Sequence, residues 1–112
     1  MDAPPHACNG RGWCAVLHAA QRISHKWQPV VVHRLLDGGP LGFRDLEADI
    51  DGISAKVLTE SLRTLEADLL VRREVLSESP LRVQYHLTPA GHDLAPVVQA
   101  MEAWGRRHVC TR

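Results

Sequence analysis

Hydrophobic residues along the chain recur with helical spacing in some segments and alternate with polar residues in others. Apolar positions that repeat every three or four residues predict helices over 13–22, 25–36, 43–50, 55–68 and 89–108. Alternation predicts strands over 70–76 and 82–87, joined by a polar turn over 77–80. The pattern therefore predicts a small, mainly helical domain that carries one β-hairpin.

Residues that can cap a helix stand where several of these helices begin. Ser24, Ser54 and Thr88 directly precede helical segments, and their hydroxyl oxygens can accept a hydrogen bond from a backbone N–H of the first turn. Pro29 and Pro89 lie near the beginnings of their helices, where a missing N–H is best tolerated. These residues support the predicted helix boundaries.

The predicted core comes mainly from two helices. The helix at 55–68 has the clearest pattern, an apolar stripe of Leu58, Leu62, Leu65 and Leu69. In the helix at 25–36, the residues expected to face the core are Trp27, Val30, Val31 and Leu35.

The order of the elements predicts a winged helix-turn-helix fold. Two short helices joined by the turn Asp51-Gly52 form the helix-turn-helix, and the hairpin that follows forms the wing. The expected fold class is mainly α with a small β-hairpin wing (α+β), with extra helices at both ends. We expect a flexible arm over 1–12, the folded domain over 13–108 and a tail over 109–112.

Composition adds one constraint, the charge. The chain has 112 residues, 45% hydrophobic and 23% charged, which suits one globular domain. It has no apolar run long enough to cross a membrane, and its polar beginning lacks the pattern of a secretory signal, so we expect a cytoplasmic protein. The 13 basic and 13 acidic residues cancel, so a DNA-binding surface would be weakly charged and would need two half-sites.

No catalytic or metal-binding motif is evident. The chain lacks a phosphate loop, a nucleophile elbow and paired carboxylates at helical spacing, so we expect neither an enzyme nor a cofactor. Three cysteines without framework-like spacing indicate reduced thiols. The pairs His6-x-Cys8 and His108-x-Cys110 could offer four ligands to zinc, but their spacing matches no known zinc motif, and we assign no metal site.

Several blocks of sequence resemble the HxlR-type winged-helix regulators, in the same order and through most of the chain. The blocks are Lys26-Trp27, Phe43-Arg44-Asp45-Leu46, the segment 52–66 (Gly-Ile-Ser-x-Lys-x-Leu-Thr-x-x-Leu-x-x-Leu-Glu), Val71-x-Arg73, the segment 80–91 (Pro-x-Arg-Val-x-Tyr-x-Leu-Thr-x-x-Gly) and Trp104. The chain departs from the family pattern at Leu69, where a glycine commonly stands, and at Pro29.

The resemblance implies a DNA-binding homodimer joined through its first and last helices. Several members of the family sense electrophiles or oxidants through an N-terminal cysteine, a position that Cys14 occupies here. A helix N-terminus stabilises a thiolate, which favours a sensor, and the alternative is a structural cysteine without signalling. An oxidant or small-molecule effector is thus an expected partner besides DNA. The residues expected at the dimer interface are Trp13, Leu17, Leu94, Val98, Met101 and Trp104.

A helix in the major groove contacts bases from its N-terminal half, on the side away from the core. The expected DNA-binding residues are Ser54, Ala55, Lys56, Thr59, Glu60 and Arg63 of this helix and Arg82 of the wing. Lys56 and Arg63 can donate to guanine, whereas Arg82 would enter the minor groove or bind phosphate. Alternation places Arg72 and Arg73 on opposite faces of the hairpin, so only one of them can face DNA.

A second class of function stays open. A winged-helix domain with an electrically balanced surface could bind another protein, with weak or no binding to DNA.

Overall fold

Residues 11–23 and 25–110 are described by a computed structural model, which consists of helices and a small sheet. The helices of this part are α1 (Gly12–Ile23), α2 (Gln28–Gly38), α3 (Phe43–Asp49), α4 (Ala55–Ala67), α5 (Pro89–His92) and α6 (Ala95–His108). Its strands are β1 (Leu41–Gly42), β2 (Val71–Glu78) and β3 (Leu81–Leu87). The predicted order of helix-turn-helix and hairpin is confirmed. Across the described ranges, no helix is long and apolar enough to span a membrane.

The hydrophobic core lies where α4 packs against α2 and β2. The apolar stripe of α4 buries Leu58, Leu62 and Leu65 completely or almost completely. The other core residues are Val31, Val32, Leu35, Leu46, Ile50, Ile53, Leu70, Val71, Tyr85 and Val98. Burial of one large aliphatic side chain contributes about 1.5–3 kcal/mol, so this cluster determines how α4 is oriented.

The beginning of α4 follows the prediction closely. Ser54 has an extended backbone, and its Oγ accepts a hydrogen bond of 3.1 Å from the N–H of Val57. Gly52 in the preceding turn has φ +88°, a conformation that glycine adopts without steric cost. The cap and the turn together determine that α4 begins at Ala55.

The helix predicted over 25–36 begins later, at Gln28. Proline has no N–H, and its ring would clash with the carbonyl four residues before it in a longer helix. The helix therefore begins so that Pro29 is its second residue. Trp27 and Val30, expected in the core, are partly buried against it. Ser24, predicted to cap this helix, lies outside the described residues.

The sheet has one strand more than the sequence predicted. The two-residue strand β1 pairs with β3, so the antiparallel order is β1-β3-β2. The wing strands are longer than predicted, which leaves Ser79 and Pro80 as the turn. The register shifts between Val75 and Ser77, so Leu76 forms a bulge. A strand as short as β1 has no periodicity, which is why the pattern did not reveal it.

The single helix predicted over 89–108 is divided into α5 and α6. Pro96 cannot donate a hydrogen bond to the carbonyl of His92, so a continuous helix is unfavourable at this point. Thr88 caps α5 as predicted, with its Oγ1 accepting from the N–H of Gly91 at 3.1 Å. A Cβ at Gly91 would lie 2.2 Å from the carbonyl oxygen of Leu70, so only glycine fits there.

The structure contradicts the predicted core position of Leu69, whose side chain is 73% exposed. Its φ is +62°, because this residue ends α4 in the left-handed conformation of a Schellman motif. The N–H of Leu70 donates to the carbonyl of Leu65 at 2.9 Å, and that of Leu69 donates to the carbonyl of Glu66 at 3.0 Å. This conformation explains why family members commonly carry glycine here.

Replacing Leu69 with glycine is expected to raise the free energy of unfolding by about 0.5–1 kcal/mol. The left-handed conformation costs a residue with a Cβ about 1–2 kcal/mol, more than the roughly 0.4–1 kcal/mol of unfolded-chain entropy that glycine adds. Urea unfolding of Leu69→Gly measures the gain. Leu69→Ala keeps the Cβ and should show no gain; equal stabilisation by alanine would show that the exposed side chain, not the backbone, is the cause.

Candidate nucleic-acid interface

The outer side of α4 presents the residues that the sequence assigned to DNA. Ser54, Ala55, Lys56, Glu60 and Arg63 are exposed. Thr59 is half-buried, and its Oγ1 donates to the carbonyl of Ala55 at 2.8 Å. Its hydroxyl hydrogen is therefore used inside the helix, which leaves the methyl group for an apolar contact such as the thymine methyl.

A groove of about 450 Å³ runs between α4 and the sheet. Its lining residues are Phe43, Thr59, Leu62, Arg63, Glu66, Arg73 and Tyr85. Arg73 pairs with Tyr85 in the β-ladder, whereas Arg72 pairs with His86. Because neighbouring residues of a strand face opposite sides, Arg73 shares the α4 side of the hairpin and Arg72 does not. The structure thus selects Arg73, between two arginines that the sequence could not distinguish.

Arg82 lines a second groove, of about 430 Å³, beside the wing. The opposite wall includes Arg44 at the beginning of α3. Sequence analysis did not assign Arg44 to the interface, because only the pairing of β1 with β3 brings the two arginines to one groove. Phe43 contributes to both grooves, so the cations of α4 and of the wing lie on a continuous surface.

The distribution of ion pairs makes this surface more basic than the neutral composition suggests. Two carboxylates are engaged elsewhere, Asp49 with Arg34 at 3.2 Å and Glu74 with His86 at 2.6 Å. Asp45 and Glu66 remain in the two grooves, where they offset part of the positive charge. Within residues 11–23 and 25–110, the interface cations without an ion pair are Arg44, Lys56, Arg63, Arg73 and Arg82. Cations that are not neutralised internally remain available to phosphates.

The helices at the two ends of the described chain expose large apolar side chains. Trp13 and Leu17 of α1 are exposed, as are Met101 and Trp104 of α6. Leu94 is half-buried against the core. Val98, which the sequence placed at a dimer interface, is only 4% exposed because α6 packs it into the core of its own chain.

Glu102 connects α6 to α2. Its Oε1 lies 3.3 Å from Nε2 of His33, and its Oε2 accepts from the Arg106 guanidinium at 2.8 Å. The hydrogen bonds from Arg106 and His33 lower the pKa of Glu102, so the carboxylate stays ionised.

Cys14 lies in the first turn of α1 and is buried, although its neighbours Trp13 and Ala15 are exposed. Cys110 is exposed beyond the end of α6. His6 and Cys8 fall outside the described residues, and within the described ones no cluster of three or more potential metal ligands occurs.

Comparison with known proteins identifies the family. A sequence model of HxlR-like helix-turn-helix proteins matches residues 22–112. The chain belongs to the HxlR-like helix-turn-helix family. The HTH-type transcriptional regulator YodB of Bacillus subtilis (strain 168) is 38% identical over 96 residues, which cover 85% of each protein. The HxlR resemblance in the sequence is thereby confirmed.

Solved structures of HxlR-like relatives share the fold. The reduced form of YodB from B. subtilis superposes with a TM-score of 0.72 at 33% identity, over 97% of this chain and 96% of that one. The oxidized form of the redox regulator HypR gives 0.78 at 35% identity, over 85% and 97%. Because YodB is a transcriptional regulator and HypR a redox regulator, the chain is classed with regulators.

Substituting Arg73 should weaken DNA binding, and substituting Arg72 should not. Arg73→Gln removes a cation from the groove beside α4, and we expect it to weaken the free energy of DNA binding by roughly 1 kcal/mol. Arg72→Gln removes the same charge from the other face of the hairpin and serves as the matched control. Fluorescence anisotropy with a duplex from the gene's own promoter measures both. Equal losses for the two variants would contradict the assignment by strand register.

Proposed function

We propose that the chain is a sequence-specific, double-stranded DNA-binding transcriptional regulator that acts as a homodimer. The observation that supports this most strongly is the group of cations without ion pairs along α4 and the wing. Membership of the HxlR-like helix-turn-helix family supports the same function. DNA is therefore the partner that we propose for this surface, and the cytoplasm is the compartment that we propose for the protein.

The proposed complex places α4 in the major groove. Lys56 and Arg63 donate to guanine O6 and N7, Thr59 contacts a thymine methyl and Glu60 accepts from cytosine. Ser54 stands at the N-terminus of α4, which favours a phosphate. Arg44 and Arg82, which both line the wing groove, bind the sugar-phosphate backbone or enter the minor groove of the DNA. Ala55 contacts the base edges closely because its side chain is small.

Two copies of the chain are needed, since one interface has few cations to neutralise phosphates. The exposed apolar residues of α1 and α6 would cover one another in a homodimer, which would place two α4 helices on half-sites one helical turn apart. Trp104 of α6 is 59% exposed and, together with Trp13 of α1, offers the largest side chains for this contact.

Trp104→Glu is expected to convert the dimer into a monomer and to abolish specific DNA binding, because a buried carboxylate opposes association. Sedimentation should give twice the chain mass of 12.4 kDa for the wild type and one chain mass for the variant. Leu76→Glu, which changes an exposed apolar residue of the wing, is the control and should remain dimeric.

The competing function predicts a different result. A winged-helix module that binds another protein would give no electrophoretic shift at low salt with its own promoter or a neighbouring one. A wild type that sediments as a monomer would contradict the homodimer independently of the DNA experiment.

We propose further that Cys14 senses oxidants or electrophiles. The relatives include a regulator solved in a reduced form and a redox regulator solved in an oxidized form. Cys14 lies in the first turn of α1 and is buried, while its neighbours on both sides are exposed. Modification of a buried thiol requires α1 to shift, and this would change the spacing of the two α4 helices through the dimer contact.

Diamide or a quinone should weaken DNA binding of the wild type by tenfold or more, and this response should be lost in Cys14→Ser. The matched control is Cys110→Ser, which removes the exposed thiol and should keep the response. Promoter affinity before and after treatment measures the effect. An unchanged response in Cys14→Ser would remove this residue from sensing and leave it a structural cysteine.

A further inference from the structure

A pocket of about 410 Å³ lies on the flank of α4 that is turned away from the wing. Its lining residues are His25, Lys26, Trp27, Gln28, Val57, Glu60, Ser61 and Thr64. At 100° per residue, the α4 residues of this pocket lie almost opposite those of the groove beside the wing. The exposed side of α4 is thus bordered by a polar depression on each flank.

Two buried polar side chains in this pocket lack a partner. Gln28 is 4% exposed and Ser61 is 6% exposed, and neither side chain has a hydrogen bond to any residue that the structure describes. Their polar atoms are not among the fully buried unpaired atoms of the described residues, so they open into the pocket and can hydrogen-bond to a ligand there. Both can donate to an oxyanion, one through an amide and the other through a hydroxyl.

We propose that this pocket binds a backbone phosphate of the DNA strand that runs along the α2 flank of α4. The inference rests on the proposed function, in which α4 occupies the major groove. That groove is about 12 Å wide and a helix with its side chains about 10–12 Å across, so each flank of the helix faces one sugar-phosphate backbone. On the other flank, Arg73 lines the groove that faces the strand on the wing side.

The charges at the pocket suit one phosphate. Lys26 stands just before α2, with its Nζ 4.8 Å from the centre of the Trp27 ring, and the N-terminus of the 11-residue α2 adds a partial positive charge. Serine, glutamine and helix N-termini are frequent phosphate donors in protein–DNA complexes. Glu60 also lines the pocket, and its carboxylate opposes an anion. The pocket therefore has a modest affinity, which neighbouring contacts supplement.

Binding to a non-specific 20-bp duplex tests the proposal without knowledge of the operator. Lys26→Gln should make the slope of log K against log salt shallower by about 0.9 for each bound chain, the value for one released counterion.

Ser61→Ala should lower the affinity about tenfold, as loss of a hydrogen bond to a charged group does. Glu60→Gln should raise it. Arg107→Gln, at an exposed position of α6, is the charge-matched control and should change none of these.

Amide NMR distinguishes the source of the anion. The Gln28 side-chain amide resonance should shift when the duplex is added to the wild type and shift less in Lys26→Gln. A shift caused by inorganic phosphate alone, without one from the duplex, would assign the pocket to a small anion and overturn the proposal. A Lys26→Gln slope equal to that of Arg107→Gln would also overturn it, whereas a wild type that does not bind the duplex would contradict the proposed function itself.

Discussion

Burial of one leucine stripe is the interaction on which the arrangement of this protein depends. Leu58, Leu62 and Leu65 place one side of α4 against α2 and the sheet with almost no exposed surface. Rotation of α4 by even one residue would expose a leucine and bury a charged side chain, at a cost of several kcal/mol. The opposite side of the helix must therefore face solvent, and Lys56 and Arg63 lie there because the core leaves them no alternative.

The junction between α4 and β2 determines where the wing lies relative to this helix. A left-handed residue ends α4, and the hydroxyl of Thr88 donates to the carbonyl of Leu69 at 2.6 Å. Close approach of Gly91 to the carbonyl of Leu70 brings α5 against the same turn. Backbone contacts of this kind fix the direction in which β2 leaves α4, and with it the side of α4 on which the wing lies. A surface that binds a rigid duplex needs such a fixed arrangement.

The neutral charge of the chain conceals an uneven distribution. Acidic residues that follow one another in sequence are separated by the fold. Asp49 forms an ion pair with Arg34, Glu74 forms a hydrogen bond with His86, and Asp45 caps α3. The cations of α4 and the wing are left without such pairs in the described ranges. Net charge is thus a poor guide to the electrostatic field at one face of the protein. Association of two chains through the apolar surfaces of α1 and α6 would double the number of these cations.

The sequence by itself determined the family, the order of elements, the cap at Ser54 and the outward residues of α4, because periodicity, capping and turn chemistry act over a few residues. It failed at Leu69, whose position in the apolar stripe concealed a left-handed end of the helix. Only the tertiary structure decided between Arg72 and Arg73, brought Arg44 to Arg82, and placed Val98 in the core. It also placed Gln28 and Ser61 in one pocket. These outcomes depend on strand register and on packing between residues far apart in sequence, which local patterns do not encode.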